Sequence, residues 1–278
     1  MTIPSPDLEN FGRLVDAQAP WLDQVVIIGG WAHRLYRFHA LAQRLDYPPL
    51  MTLDAGVALP TGLKVKGQDI HERLTANGFQ AEFLGHHKPP ATHYQLSDQS
   101  GSFYAEFLTP LIGGAYARRG KRGATKRIAG VVSQRLRHVD LLLLSPWTVI
   151  LSASDGFTSA EGKQVLVANP VSFLAQKVLV HTKRNRSERA KDILYIHDTL
   201  ETFGARIADL RAEWINKIRL RLHARSVRLV ESAADALFGE MSDPLREASR
   251  IAQDRALSPE AIREVCSFGF QQVFRSSD

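Results

Sequence analysis

The chain has 278 residues, of which 44% are hydrophobic and 23% are charged, a length and composition typical of one large globular domain or two modest ones. Apolar runs such as Leu141–Leu144 are far shorter than the roughly 20 residues that span a bilayer, so we expect no membrane segment. The 35 Lys and Arg residues exceed the 29 Asp and Glu residues, which indicates either a phosphate-bearing partner or a solvated basic surface.

The first 168 residues combine strand and helix patterns. The N-terminal sequence has neither the basic nor the apolar region of a signal peptide, so we expect none. Val25–Ile28 is a β-branched run typical of a buried strand, and it ends at Gly29-Gly30, after which helical spacing continues from Trp31 to Arg44. Further strands are predicted at 50–59, 79–84, 92–96, 103–108, 139–144, 147–151 and 164–167, with helices at 7–19 and 68–76.

Positive charge is concentrated between the predicted strands at 103–108 and 139–144. The run ARRGKRGATKR at 117–127 has neither strand alternation nor helical periodicity, which predicts a mobile basic loop. Such a loop could contact the phosphates of a nucleic acid, although a solvated surface explains the charge as well. The candidate contacts are Arg118, Arg119, Lys121, Arg122, Lys126 and Arg127.

From Pro170 onward the sequence is almost entirely helical in pattern, with helices predicted at 171–182, 188–202, 206–223, 225–238, 243–254 and 259–274. We therefore predict an α+β protein, in which residues 1–168 form a mixed-sheet domain and residues 169–278 form a helical bundle. The single cysteine, Cys266, excludes an intrachain disulfide and a cysteine-rich metal site, and it suits a reducing, cytoplasmic location.

Three features of the first domain carry candidate chemistry. Gly29-Gly30 lies between a strand and a helix, where backbone can approach a phosphate closely, although many such turns only change the chain direction. Asp54 in MTLDAGVAL and Glu106 in FYAEFLTPL each lie inside a strand pattern, where a carboxylate is costly unless it is paired or metal-bound. On adjacent strands the two acids could hold a hard divalent cation, and otherwise each faces solvent.

This order of elements resembles the nucleotidyltransferase superfamily with the polymerase-β-like fold. Its pattern is a strand ending in Gly-Gly or Gly-Ser, a helix, a strand with Asp-x-Asp, and a later strand with a third acid. Gly29 and Gly30 take the glycine positions, TLDAGVAL takes the Asp-x-Asp strand, and AEFLTPL takes the third-acid strand. The chain is most similar to bacterial members related to abortive-infection toxin nucleotidyltransferases, whose second-half lysine, basic and acidic positions fall here on Lys177, Lys191 and Asp192.

The resemblance implies transfer of a nucleoside monophosphate from an NTP to a hydroxyl acceptor, with Mg²⁺ as cofactor. That the acceptor is an RNA such as a tRNA rests only on the charge of the basic loop, and a hydroxyl on a small molecule or a protein is the alternative. In that scheme, Asp54 and Glu106 are the metal-binding and catalytic residues. The nucleotide-binding residues are Gly29, Gly30, Lys177, Lys191 and Asp192. From its helical spacing alone, Lys177 could instead pack its stem against apolar neighbours and leave its ammonium in water.

One position departs from the family pattern. The second acid of Asp-x-Asp falls on Gly56, and the third acid is Glu106, one methylene longer than Asp. The loss of a carboxylate that bridges two metal ions should weaken metal binding. A degenerate module that binds nucleotide or RNA without catalysis is therefore an alternative, and a toxin held inactive by an antitoxin partner is another.

Overall fold

The structure, a computed structural model, describes residues 6–65, 67–85, 89–96, 103–113 and 123–275. The chain divides into two compact units, one formed by residues 1–38 with 51–168 and the other by residues 39–50 with 169–278. The first contains the sheet and the second is helical, so the protein has the predicted α+β architecture. Within the described residues, no helix combines the length and apolarity needed to cross a bilayer.

The first unit is built on one mixed sheet, with nine strands among the described residues. The strands are β1 Val26–Ile28, β2 Asp54–Ala58, β3 Phe79–Leu84, β4 Ala91–Leu96, β5 Tyr104–Pro110, β6 Thr125–Ile128, β7 Val131–Leu136, β8 Trp147–Ile150 and β9 Gln164–Val167. Their order is β3-β4-β5-β2-β1-β9-β8, and β7 pairs with the end of β5 and with β6. The helices of this unit are α1 Pro6–Ala17, α2 Gly29–Leu35, α3 Ile70–Ala76 and α4 Val139–Leu142.

The core of the first unit lies on one face of this sheet. Ala55 and Val57 on β2 and Ala105 and Phe107 on β5 are buried, as expected for alternate residues of strands with one covered face. Trp31 at the start of α2 is fully buried: its ring stacks on Phe11 of α1 and meets Phe103 edge-on. On the opposite face of the same strands, Asp54 and Glu106 are half-buried, and Ala58 and Leu108 further along are buried.

The second unit is a packed set of helices: α5 Pro170–Val180, α6 Arg186–Thr202, α7 Ile207–Glu213, α8 Ala224–Glu231, α9 Ala233–Phe238, α10 Asp243–Ile251 and α11 Pro259–Phe274. Aromatic side chains such as Trp214, Phe270 and Phe274 fill its core. Residues 39–50 group with this unit and not with the rest of the first 168 residues. Gln43 N donates to Thr202 O, and the Tyr47 hydroxyl donates to Glu201.

Three local predictions for the first 168 residues differ from the structure. The predicted strand at 139–144 is instead α4, because a four-residue apolar run has no periodicity that separates strand from helix. The predicted helix from Trp31 to Arg44 ends at Leu35 and is followed by a single 3-10 turn over Tyr36–Phe38.

The third correction concerns the basic loop. Lys126 and Arg127 lie on β6, which pairs antiparallel with β7, so this end of the segment is a strand whose two basic side chains are exposed. Arg118, Arg119, Lys121 and Arg122 lie outside the described residues.

Candidate functional site

Asp54 and Glu106 lie on the same face of the sheet. Strands β2 and β5 are parallel neighbours, with Asp54 opposite Tyr104 and Gly56 opposite Glu106. Opposed residues point to the same side of a sheet, and so do residues two apart on one strand. The two acids are thus diagonal neighbours on adjacent strands, about 7–8 Å apart at the backbone, a spacing that long side chains can bridge.

Gly56 occupies the place between these acids. It is opposite Glu106 on one side and opposite Ile28, the last residue of β1, on the other. A Cβ built on Gly56 would lie 3.1 Å from Ile28 Cγ1 and 3.8 Å from Glu106 Oε1. A side chain at this position would therefore extend over the same face as Asp54 and Glu106.

The negative charge of the two acids acts on their neighbours. The Thr52 hydroxyl donates a hydrogen bond to Asp54 Oδ1, which holds that carboxylate at the start of β2. Burial raises the pKa of the Tyr104 hydroxyl, and the charges of Asp54 and Glu106 raise it further. This face of the sheet therefore has a negative potential, which favours a cation.

His93 also belongs to this face, and the sequence reasoning did not single it out. It lies on β4 opposite Glu106, and its Nε2 is 3.7 Å from Glu106 Oε2. Its ring stacks on Tyr104 with centroids 4.8 Å apart. Burial lowers the pKa of His93, while the charges of Glu82 and Asp54 act in the opposite direction. The alternation of ATHYQL, with Thr92 buried, is the signal that assigns His93 to the polar face.

The Gly29-Gly30 turn begins beside this site. Gly29 has φ +66, a left-handed conformation that favours glycine, and apart from its chain neighbours and the backbone of α2 no described atom lies within 4 Å of a Cβ built there. The N-cap residue of α2, Ile28, has an apolar side chain and makes no cap hydrogen bond. The turn directly follows Ile28, which is opposite Gly56 in the antiparallel pairing of β1 and β2.

Lys177, Lys191 and Asp192 lie in the helical unit, on α5 and α6. Lys177 is 5% exposed, forms an ion pair with Asp192, and lies between the rings of Phe173 and Tyr195, at 5.0 and 4.9 Å from their centroids. Burial lowers the pKa of Lys177, and Asp192 opposes this effect. The interpretation that its ammonium remains in water is therefore wrong.

A second polar cluster in the helical unit was not predicted. His197, Asp198 and Glu201 of α6 have ligand atoms within 4.8 Å of one another, a separation that a metal ion could bridge. Among the described residues Asp54, Glu106 and His93 do not form so close a group. However, Arg255 Nη2 lies 2.8 and 2.9 Å from the two carboxylate oxygens of Asp198 and already supplies a positive charge.

A family model described as "Nucleotidyltransferase" matches residues 9–218, well over half of the chain. The chain belongs to this nucleotidyltransferase family. The matched range contains both acids of the sheet, the diglycine turn and the lysine and acidic positions of α5 and α6. No curated protein matches the nucleotidyltransferase chain.

Members of such families generally use divalent metal ions. Asp54 and Glu106 offer hard oxygen donors on one face of the sheet. Gly56 contributes no carboxylate, so this donor set fits one ion better than a bridged pair.

Proposed function

We propose that this nucleotidyltransferase transfers a nucleoside monophosphate from an NTP to a hydroxyl acceptor, and that its cofactor is Mg²⁺. Asp54 and Glu106 are the metal-binding and catalytic residues in this proposal. The observation that supports it is their placement as diagonal neighbours on one face of the sheet, beside the Gly29-Gly30 turn and within the range of the family match.

The site residues of the first unit have distinct roles in this proposal. When bound, the divalent ion would neutralise triphosphate charge and polarise the phosphorus that is attacked. Thr52 fixes the orientation of Asp54, and Gly29 leaves open space through which a phosphate reaches the backbone N–H groups at the start of α2.

In the helical unit, the proposed nucleotide-binding residues are Lys177, Lys191 and Asp192. Their support is that they lie inside the family match and form one cluster around Tyr195. Asp192 holds Lys177 in place, and Lys191 Nζ lies 5.6 Å from the Tyr195 ring centroid. Neutral substitution of Lys191 is expected to weaken NTP binding because it removes a positive charge available to phosphate.

We propose an RNA as the acceptor, on the basis of charge. Lys126 and Arg127 are exposed on β6, and four further basic residues precede them in the chain. Contacts of this kind release counterions, so RNA affinity should fall steeply as salt is raised. A flat salt dependence would remove RNA from the proposal.

One observation favours a second candidate, a non-catalytic nucleotide- or RNA-binding module. Gly56 supplies no carboxylate beside Glu106. If the missing acid is essential for turnover, the chain binds NTP but transfers nothing, and Gly56→Asp creates the activity.

The decisive experiment is transfer of label from α-³²P-labelled NTPs in the presence of Mg²⁺, with and without tRNA. The native chain is expected to label the acceptor and release pyrophosphate, and Asp54→Asn and Glu106→Gln are expected to reduce the rate at least 100-fold, because each removes a proposed ligand. Asp23→Asn, a change at an exposed acid, is the control. Activity that survives both site substitutions refutes the proposed site, and activity found only in Gly56→Asp establishes the binding module.

A further inference from the structure

Four residues form a row across neighbouring strands on the proposed catalytic face. Glu82 on β3 is opposite His93 on β4, His93 is opposite Glu106 on β5, and Glu106 is opposite Gly56 on β2. On one side of Glu106, the family's acid is replaced by a residue without a side chain. On its other side is an imidazole.

The distance between His93 and Glu106 suits two ligands of one ion. Two donor atoms bound at about 2.1 Å to the same octahedral or tetrahedral ion lie about 3 to 3.4 Å apart. His93 Nε2 and Glu106 Oε2 are 3.7 Å apart, so a small side-chain adjustment brings them to that spacing.

The surroundings of His93 favour a ligand role. Its ring stacks on Tyr104, which restricts its orientation. Glu82 lies on the side of His93 away from Glu106, where its carboxylate accepts a hydrogen bond from Gln95 Nε2, and its charge acts on the imidazole. Metal-binding histidines commonly have a carboxylate near the second ring nitrogen, and this neighbour orients the ring.

We propose that His93 is a metal ligand of this site, acting with Glu106 and supported by Glu82. This inference rests on the proposed function, because it takes a cation at Glu106 as given. A neutral imidazole adds a donor without a charge, so the two negative charges of Asp54 and Glu106 balance one divalent ion. Nitrogen donors suit transition metals better than Mg²⁺, so the site is expected to bind Mn²⁺ more tightly than Mg²⁺.

Pulsed electron paramagnetic resonance of bound Mn²⁺ tests this directly. The full chain is mixed with Mn²⁺ and inorganic triphosphate, a probe that contains no nitrogen. We expect the Mn²⁺ echo to be modulated by a nearby ¹⁴N nucleus, and the modulation to change to the ¹⁵N pattern when the protein is labelled with [¹⁵N]histidine. His93→Gln should abolish it and weaken Mn²⁺ binding about tenfold or more, because a ligand is lost.

Two histidine variants serve as matched controls. His71 bonds to the Tyr94 hydroxyl, outside the row, and His197 belongs to the close group on α6. His71→Gln and His197→Gln should both keep the nitrogen signal. A signal lost in His197→Gln but kept in His93→Gln overturns the inference, because the ion then lies on α6.

The remaining outcomes separate the inference from the proposed function. If Mn²⁺ binding weakens in Glu106→Gln but shows no histidine nitrogen, the role of His93 is refuted and the proposed function stands. If Mn²⁺ does not bind, or binds equally well to Asp54→Asn and Glu106→Gln, both are refuted.

Discussion

Gly56 lies directly opposite Glu106, and a Cβ on Gly56 would be 3.8 Å from Glu106 Oε1. The position at which the family pattern has an acid is therefore in contact range of the third acid of the same pattern. An additional carboxylate there would repel Glu106 unless a cation were bound between them. Glycine at position 56 therefore avoids charge repulsion with Glu106 when no metal is bound. It also leaves one carboxylate fewer to bind a metal ion.

The first prediction concerns Gly56→Asp. Without divalent ions, this variant should have a free energy of unfolding about 1 kcal/mol below that of Gly56→Asn, because only the aspartate adds a like charge beside Glu106. Both side chains meet Ile28 Cγ1, so the asparagine variant controls for the steric cost. Urea denaturation with EDTA measures the difference, which Mg²⁺ should remove. Equal stabilities in EDTA would contradict the geometry.

The second prediction concerns the buried pair of Lys177 and Asp192. Lys177→Met keeps the apolar stem and removes the charge, so Asp192, which is 4% exposed, loses its hydrogen-bonded partner and keeps only the longer ion pair with Arg184 Nε, at 3.4 Å. The free energy of unfolding should fall by about 3 kcal/mol. Adding Asp192→Asn should recover most of the loss. Chemical denaturation of the three proteins checks this, and a loss below about 0.5 kcal/mol would mean that the pair is not buried in solution.

The third prediction concerns Cys266, the single cysteine of the chain. It is fully buried, and burial raises the pKa of its thiol, with Asp198 and Glu201 adding to the shift. Because the thiolate is the reactive form and a raised pKa reduces it, native Cys266 should react with iodoacetamide at pH 8 at least 100-fold more slowly than the urea-unfolded chain. Mass spectrometry measures the rates. Comparable rates in both states would place the thiol at the surface.

The fourth prediction concerns the close group on α6. The Arg255 guanidinium occupies both oxygens of Asp198, so the native group should bind Zn²⁺ poorly. Arg255→Gln removes the competing charge and should raise Zn²⁺ affinity at least tenfold, as measured by competition with a chromogenic chelator. The double variant Arg255→Gln/His197→Gln should lose that gain. Equal affinity of the native chain and Arg255→Gln would show that the arginine does not compete.

Seven of the nine described strands could be predicted from the sequence because their residues alternate or form β-branched runs, whereas β6 and β7 were not predicted. The sequence placed Asp54 and Glu106 inside strands but left open whether they meet at a cation or each face solvent. It did not fix which residues are opposed, since register between strands some 50 residues apart depends on packing across the sheet. The relation of His93 to Glu106 was missed for the same reason.

Other features depend on tertiary contacts that local patterns do not contain. The run at 139–144 is too short to show a period, and His138, at φ +66, turns the chain directly into α4. Residues 39–50 have a helical pattern in part, but Gln43 and Tyr47 bond instead to α6. Lys177 and Asp192 are 15 residues apart on different helices, so only the packing of α5 on α6 makes them a pair.

The central claim is that Asp54 and Glu106 bind one and the same divalent ion. Calorimetric titration with Mn²⁺ of the native chain, Asp54→Asn, Glu106→Gln and the double variant tests this claim most directly, with Asp23→Asn as control. We predict that either substitution removes one bound ion per chain at the concentration used, and that the double variant loses only that same ion. An unchanged stoichiometry in both single variants, or a loss of two ions in the double variant, would contradict the account.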